Sequence, residues 1–349
     1  MNKDKALFRQ EREKLLLTGE IPRLFFKYAL PGVVGLLFLG IQSVIDGIVL
    51  GRFVGANALA SVNLVLPCYS LISAFAIVMG IGGQTLVSIS LGKGDKQEAN
   101  NALRSVFLFL LGMSVVVSLV IFLSAGKIAS FLGANEVLLP DAVGYIRALV
   151  PFFPLLCAMF FGDYIIKAMG HPLYATSVMG LTVILNIILD IVFVARLGWG
   201  VMGAGLATGI AFTVGACFNL PRLFSRHEVV AVQRGRYDRR LVWNAFYNGS
   251  SEGMSELSVA ITVFLFNITM MRYLGESGVA AFTAINYILF IGTTVFLGIS
   301  DGIIPIIGYN FGARQQGRIK SILKLAARTN SLIGISLFLL LLLFGEQVI

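Results

Sequence analysis

Charge is scarce in this chain. Asp, Glu, Lys and Arg make up 13% of its 349 residues, about half the share in a typical soluble domain. That shortage excludes both a soluble globular domain of this length and a charged disordered chain. Cysteine and histidine are also sparse, at 3 and 2 residues. Cys68, Cys157 and Cys217 fall in three different apolar runs, so they read as small buried hydrophobes rather than a disulfide framework. His171 and His227 lie in connecting segments with no CxxC or HExxH context, which argues against a metal centre. There is no GxxxxGK[ST] phosphate loop, which argues against an ATP-driven pump within the chain. There is no Asp-rich repeat on one helix to suggest a membrane-embedded enzyme, and none is expected. The opening stretch, MNKDKALFRQEREKLLLTGEIPR, lacks the short apolar core and cleavage site of a signal peptide. It reads as an amphipathic cytosolic lead-in lying on the membrane surface. Glycine is abundant (38 residues) but has no collagen period.

What the chain has is apolar sequence: 57% of it is hydrophobic. A polytopic membrane protein is the remaining class, and its backbone must satisfy itself as helices or as a closed barrel. Barrel strands alternate over about 10 residues, whereas the runs here are continuous. Crossing a ~30 Å hydrocarbon core takes about 20 apolar residues. Nine runs qualify, near 24–50, 58–91, 102–123, 143–168, 173–195, 200–224, 244–271, 279–312 and 322–344. The longest are expected to tilt, kink or extend past the bilayer.

The net charge of +9 invites a nucleic-acid reading, but its distribution argues against one. With a cytoplasmic N-terminus and alternating runs, only Arg52, Lys127, Arg147, Arg196 and Arg272 face outward; the other 22 of the 27 basic residues face inward. That is the positive-inside asymmetry of a multi-pass plasma (inner) membrane protein, and the partner it implies is an anionic inner leaflet.

Displaced by 220 residues, the chain meets itself. GRFVGANALASVN at 51–63 falls on MRYLGESGVAAFT at 271–283, Gly82 on Gly302 and Gly92 on Gly312. An apolar run, an outer Gly turn, a long apolar run and a basic inner loop recur in order, so a duplication is expected. The first unit holds six helices, an even number. The second therefore starts on the same side, and the repeats are parallel about an axis along the membrane normal. The expected fold is all-α, two helical lobes around a central cleft, the architecture of an alternating-access transporter. Its parts are a cytoplasmic N-terminal segment (1–23), a six-helix lobe (24–225), a basic cytoplasmic linker (226–243) and an incomplete three-helix second lobe (244–349). A full second unit would extend near residue 445. The expectation is either a fragment lacking three helices or a chain completed by another.

Ionisable side chains inside membrane helices are expensive and are functional candidates by default. Asp46 lies in the outer half of the first run. Asn186 and Asp190 lie in the fifth, where i, i+4 spacing puts amide and carboxylate on one face. Thr208 lies in the sixth. These four form the expected coupling site. They either coordinate a hard cation such as Na⁺ through oxygens or share a proton, and the alternative role is an interhelical polar clamp. Gln42, one turn before Asp46, is expected in the same cavity. Glu252 and Glu256, again i, i+4, open the second lobe as cleft or substrate candidates; Glu256 is the deeper, and Glu252 reads equally as a solvated helix start near the inner end. Asp163 and Lys167 read as a local ion pair. Asp301, between glycines and before Pro305, reads as either structural or gating.

Several stretches resemble the multidrug and toxic compound extrusion (MATE) transporters. They are ALPGVVGLLFLGIQSVIDGIVLGRFVG (29–55), KAMGHP (167–172), NIILDIVFVARLGWGVMGAGLAT (186–208) and GISDGIIPIIGYNFGAR (298–314). The resemblance implies a twelve-helix, two-lobe antiporter that exports cationic, amphipathic drugs and toxins against inward Na⁺ or H⁺. Its first-lobe cation site matches Asp46, Asn186, Asp190 and Thr208. Its seventh-helix acid matches Glu256 better than Glu252. The departure is the last three helices of the family's pattern. No cofactor beyond the coupling ion and no obligatory protein partner is expected. The alternatives are a lipid or lipid-linked saccharide flippase of the same superfamily, or a transport-inactive fragment.

Overall fold

The computed structural model describes residues 14–348; within 256–291 and 340–348 most side chains lie outside that description. Among the described residues the chain is helical, with no strand. The helices are α1 (Ile21–Phe53), α2 (Ala56–Gly92), α3 (Lys96–Leu123), α4 (Ala125–Phe131), α5 (Leu139–Leu149), α6 (Phe153–Ala168), α7 (Pro172–Asp190), α8 (Gly200–Leu223), α9 (Arg239–Gly312) and α10 (Gln316–Val348). Eight segments of the described residues are long and apolar enough to cross a membrane. α5 and α6 count as one span, bent through a 3₁₀ turn at Val150–Phe152. These eight match every expected run except 244–271.

The breaks follow from local chemistry. α1 ends where the Val54 and Gly55 amides both donate to Leu50 O; Gly55 has φ +116°, a conformation that glycine alone adopts freely. After Gly94 (φ +81°), Asp95 caps α3 by accepting from the Glu98 amide at 2.8 Å. At the middle of the first bundle stands α6, every side chain of which is buried from Leu156 to Ala168. Small residues let its neighbours approach closely. A Cβ on Gly215 would run into Met159 and Thr182, and one on Gly209 into the Phe152 ring.

α9 is helical throughout from Arg239 to Gly312, where two spans with an outer turn at 271–279 were expected. The path nevertheless doubles back. Ala245 packs on Gly82 and Tyr309 on Gly92, both on α2. From Ala245 to Tyr309 a straight helix would measure about 96 Å, whereas Gly82 and Gly92 are about 15 Å apart. The reversal lies between Gly253 and Gly298, so two antiparallel limbs pack on α1 and α2 as expected of two spans.

The limbs meet the first bundle at its linker-bearing end, backbone against backbone. Gly82 lies against Ala245, and Gly249 against Val78. Gly302 lies against Tyr28 and Ala29, and Gly298 against Val33. Displaced by about 220 residues on one helix and 216 on the other, these are the same contact made twice. Gly92 on Tyr309 and Gly312 on Ile89 repeat it again. This is the contact pattern of two lobes related by a rotation, closed against each other at one end.

Two connecting segments are more fixed than expected. Residues 14–19, assigned to the surface lead-in, dock on the second lobe. Leu16 is buried, its carbonyl accepts from Asn310 Nδ2 at 3.1 Å, and Gly19 O accepts from Arg318 at 2.7 Å. The reason is unmet polarity: Asn310 is fully buried and needs an acceptor. The basic linker rides on α3. Asn100 Oδ1 accepts from Ala231 N at 2.7 Å, Asn101 Oδ1 from Arg236 N at 2.7 Å, and Arg104 donates to Gly235 O at 3.1 Å. Glu228 is held by Arg222 (2.9 Å) and His171 (3.2 Å), and Arg222 stacks on Tyr174 at 3.8 Å.

Candidate functional site

α1 and α7 run parallel in close contact, and that packing assembles the site. Pro31 removes one helical donor from α1, and the Pro31 carbonyl accepts from Thr176 Oγ1 of α7 at 2.9 Å. Two turns on, Gly180 of α7 receives the Phe38 ring. Continuing the same register brings Gln42 and Asp46 of α1 opposite Asn186 and Asp190 of α7. α8 adds Thr208 from the third side.

The four expected coupling residues meet. Asn186 is fully buried, Asp190 is 1% exposed and Thr208 7%. The Asp46 and Asp190 carboxyls face each other at close range. Asn186 Nδ2 lies 3.3 Å from Thr208 Oγ1. With its amide turned over, the nitrogen donates to Asp46 Oδ1 at 3.0 Å, and the oxygen accepts from the Thr208 hydroxyl and amide at 3.3 Å. That orientation satisfies both ends of the side chain. Gln42, 6% exposed, completes the ring; its Oε1 and Asp190 Oδ1 have no partner. The donors are carboxylate, amide and hydroxyl oxygens, the hard set that suits an alkali cation or a proton and not a soft metal. Among the described residues, no three or more His, Cys, Asp or Glu side chains are grouped so as to hold a metal ion.

Directly after Asp190 the helix widens into a π-turn, Ile191–Arg196. The Phe193 ring stacks on Trp199 at 4.8 Å, and the Trp199 amide donates to Phe193 O at 2.9 Å. Such turns mark places where a helix is locally adjustable.

Asp46 and Thr208 also line a cavity of about 330 Å³ with Gln42, Asn63, Tyr69, Ser73 and Tyr145. Sequence reasoning missed Asn63, Tyr69, Ser73 and Tyr145. The signal was there: Tyr69 and Ser73 are polar positions four apart within an apolar run, on one face of α2. Phe160 and leucines of α1 and α2 supply the apolar wall.

Glu252 does not join this site. Glu252 is partly exposed near the start of α9, within electrostatic range of Asp301 and Tyr164 at the linker end. It sits there because Gly249, one turn earlier, is pressed on Val78. The side chain of Glu256 lies outside the described residues. Asp163 and Lys167 form the expected pair at 2.5 Å, with side chains 5% and 9% exposed.

The family model "MatE" matches residues 31–192 and 253–349. Among curated relatives, the multidrug export protein MepA of Staphylococcus aureus strain MSSA476 is 22% identical over 324 residues, 92% of this chain and 71% of MepA. MepA of Staphylococcus saprophyticus is likewise 22% identical over the same shares. Among solved structures, a MATE transporter in the straight conformation superposes with TM-score 0.89 at 25% identity, covering 96% of this chain and 75% of that one. A MOP superfamily transporter from Pyrococcus furiosus superposes with TM-score 0.87 at 25% identity, covering 96% and 74%. These relatives are transporters and not enzymes, and the two matched segments reach into both helix bundles and take in Gln42, Asp46, Asn186 and Asp190, though not Thr208. The chain belongs to the MatE family of membrane transporters.

Proposed function

We propose that the chain is a multidrug exporter that works by secondary antiport. It exchanges cationic or amphipathic organic molecules for Na⁺ or H⁺ across the plasma membrane, with the N-terminus and the linker in the cytoplasm. The family and the MepA relatives support export of drugs; the ion coupling is argued from the site. The observation that carries it is the double position of Asp46, which belongs to the buried Asp190–Asn186–Thr208 cluster and also to the cavity wall. A small cation at the pair and an organic cation in the cavity draw on the same negative charge, so each lowers the hold on the other.

Alternating access supplies the transport. The two bundles are closed at the linker end, and the cavity lies beyond that closure, about 20 Å along α1 from Val33 to Asp46 at 1.5 Å per residue. This arrangement is outward-facing when the linker is cytoplasmic. Cation binding changes the charge at the junction of α1, α7 and α8, and α1, with Pro31 inside it, and the π-turn after Asp190 are the parts able to respond.

The test is efflux from proteoliposomes under an imposed Na⁺ or pH gradient. The proposal requires organic-cation movement that follows one of those gradients and is lost in Asp46→Asn. Gradient-independent movement, or full activity in Asp46→Asn, contradicts it.

A further inference from the structure

A second group of buried charge lies in the closure between the bundles. On α6, Lys167 Nζ is 2.5 Å from Asp163 Oδ2. From the other bundle, α9 brings Asp301, 8% exposed. Its carboxylate lies beside the Tyr164 hydroxyl and in the field of Lys167, Asp163 and Glu252. Lys167 Nζ is 5.5 Å from the centre of the Tyr164 ring. One buried ammonium thus pairs with a carboxylate of its own lobe and lies within electrostatic range of one from the other.

The two carboxylates are not equivalent. Asp163 is on the same helix as Lys167, at i, i+4, and forms a complete neutral pair with it whatever the other lobe does. Asp301 arrives only when the lobes close. Its neighbour Tyr164 is fixed in place, because α2 crosses the ring at Gly80, where a Cβ would collide with it. The surrounding polar groups are incompletely met. Asp163 Oδ1, both amide atoms of Gln84 and Ser88 Oγ have no hydrogen-bond partner. Gln84 is one turn from Gly80, which faces Tyr164, and one turn from Ser88, which faces Gly308. A permanent wall would gain by being apolar there. Unmet polar groups at the meeting of two bodies suit a contact that has to part.

We propose that Lys167 and Asp301 form a reversible latch between the lobes, with Asp163 as the resting partner of the lysine. In the closed arrangement Asp301 is held by Tyr164 and by the positive charge of Lys167. When the lobes part, Asp301 is released to water, and Lys167 stays neutralised by Asp163. Opening therefore never strands a buried ammonium, and the latch can close again. The inference takes lobe movement from the proposed function, but its test reads the closure itself and not transport. It stands or falls independently of the Asp46 exchange.

The experiment is pulsed electron resonance distance measurement in lipid nanodiscs. Spin labels replace Lys93 and Gln316, two exposed positions facing each other across the closure. The background carries Cys68→Ala, Cys157→Ala and Cys217→Ala. Asp301→Asn is expected to move the population to longer distances, changing the open-to-closed ratio about tenfold. Tyr164→Phe shifts it the same way by less, and Tyr164→Phe with Asp301→Asn goes no further than Asp301→Asn alone. Asp163→Asn has the opposite sign: it leaves Lys167 to Asp301 and raises the closed population. An unchanged distribution in Asp301→Asn, or opening in Asp163→Asn, overturns the latch. If Asp301→Asn does not fold, Tyr164→Phe decides alone, and no shift there overturns it equally.

Discussion

Two groups of buried acids, one in the cavity wall and one in the closure, use the same side chains for different ends. Among the described residues, none of the side chains around Asp46 and Asp190 is basic: the carboxyls face each other, an amide and a hydroxyl, with open volume beside them. Around Asp163 and Asp301 a lysine supplies the counter-charge, and glycine-lined backbone contacts shut the group in. A carboxylate pair without its own cation must take one from outside. A pair with a built-in ammonium needs none and serves instead to hold parts together. Access and counter-charge, not the presence of acids, separate an exchange site from a structural contact.

The largest effect that sharpens this contrast is on stability. Lys167→Met leaves Asp163 buried without its cation and is expected to lower stability by about 3–5 kcal/mol, read as thermal unfolding in detergent. Lys167→Met with Asp163→Asn recovers most of that loss. Asp46→Asn, which strands no buried charge, leaves the unfolding midpoint close to wild type but lowers gradient-driven efflux about 100-fold, near the upper end of a typical coupling free energy. A folded Asp46→Asn protein with intact coupling would remove the distinction between the two groups.

Smaller effects test the closure. Gly82→Val and Gly302→Val place a branched side chain into Ala245 and Ala29 respectively; overpacking of this kind costs about 1–3 kcal/mol. Because the two contacts are symmetry mates, both substitutions are expected to slow transport to a similar degree. Gly112→Val, where a Cβ meets nothing, leaves it unchanged. Unequal losses at 82 and 302 would break the symmetry of the closure. The smallest effect belongs to the scaffold of the exchange site. Thr176→Val removes the hydrogen bond to Pro31 O and is expected to cost about 1 kcal/mol of stability, without changing which ion drives efflux.

Much of this was legible because lipid makes polarity conspicuous. Asp46, Asn186, Asp190 and Thr208 stood out as isolated polar groups in apolar runs, and the i, i+4 spacing of Asn186 and Asp190 fixed their common face. The glycines at 82, 92, 302 and 312 showed a repeat, and the structure gives each a backbone contact. Less legible was which neighbour each helix turns toward. In a membrane span both faces are apolar, so the pattern does not say that Tyr69 and Ser73 line the cavity or that Asp301 reaches Tyr164. Glu252 read either as a cleft acid or as a solvated helix start near the inner end, and its spacing from Glu256 did not choose between them. The helix begins at Arg239, and Gly249 pins Glu252 to the closure. The docking of Leu16 depended on a buried Asn310 some 300 residues away, which no local pattern reveals.

The most direct test of exchange at Asp46 is equilibrium binding of a fluorescent organic cation, such as ethidium, to the purified protein during titration with Na⁺ and, separately, with acid. One of the two is expected to displace the dye from the wild-type protein and to have no effect on residual binding to Asp46→Asn. Dye binding indifferent to both ions in the wild type, or displacement that survives Asp46→Asn, would contradict a shared negative site.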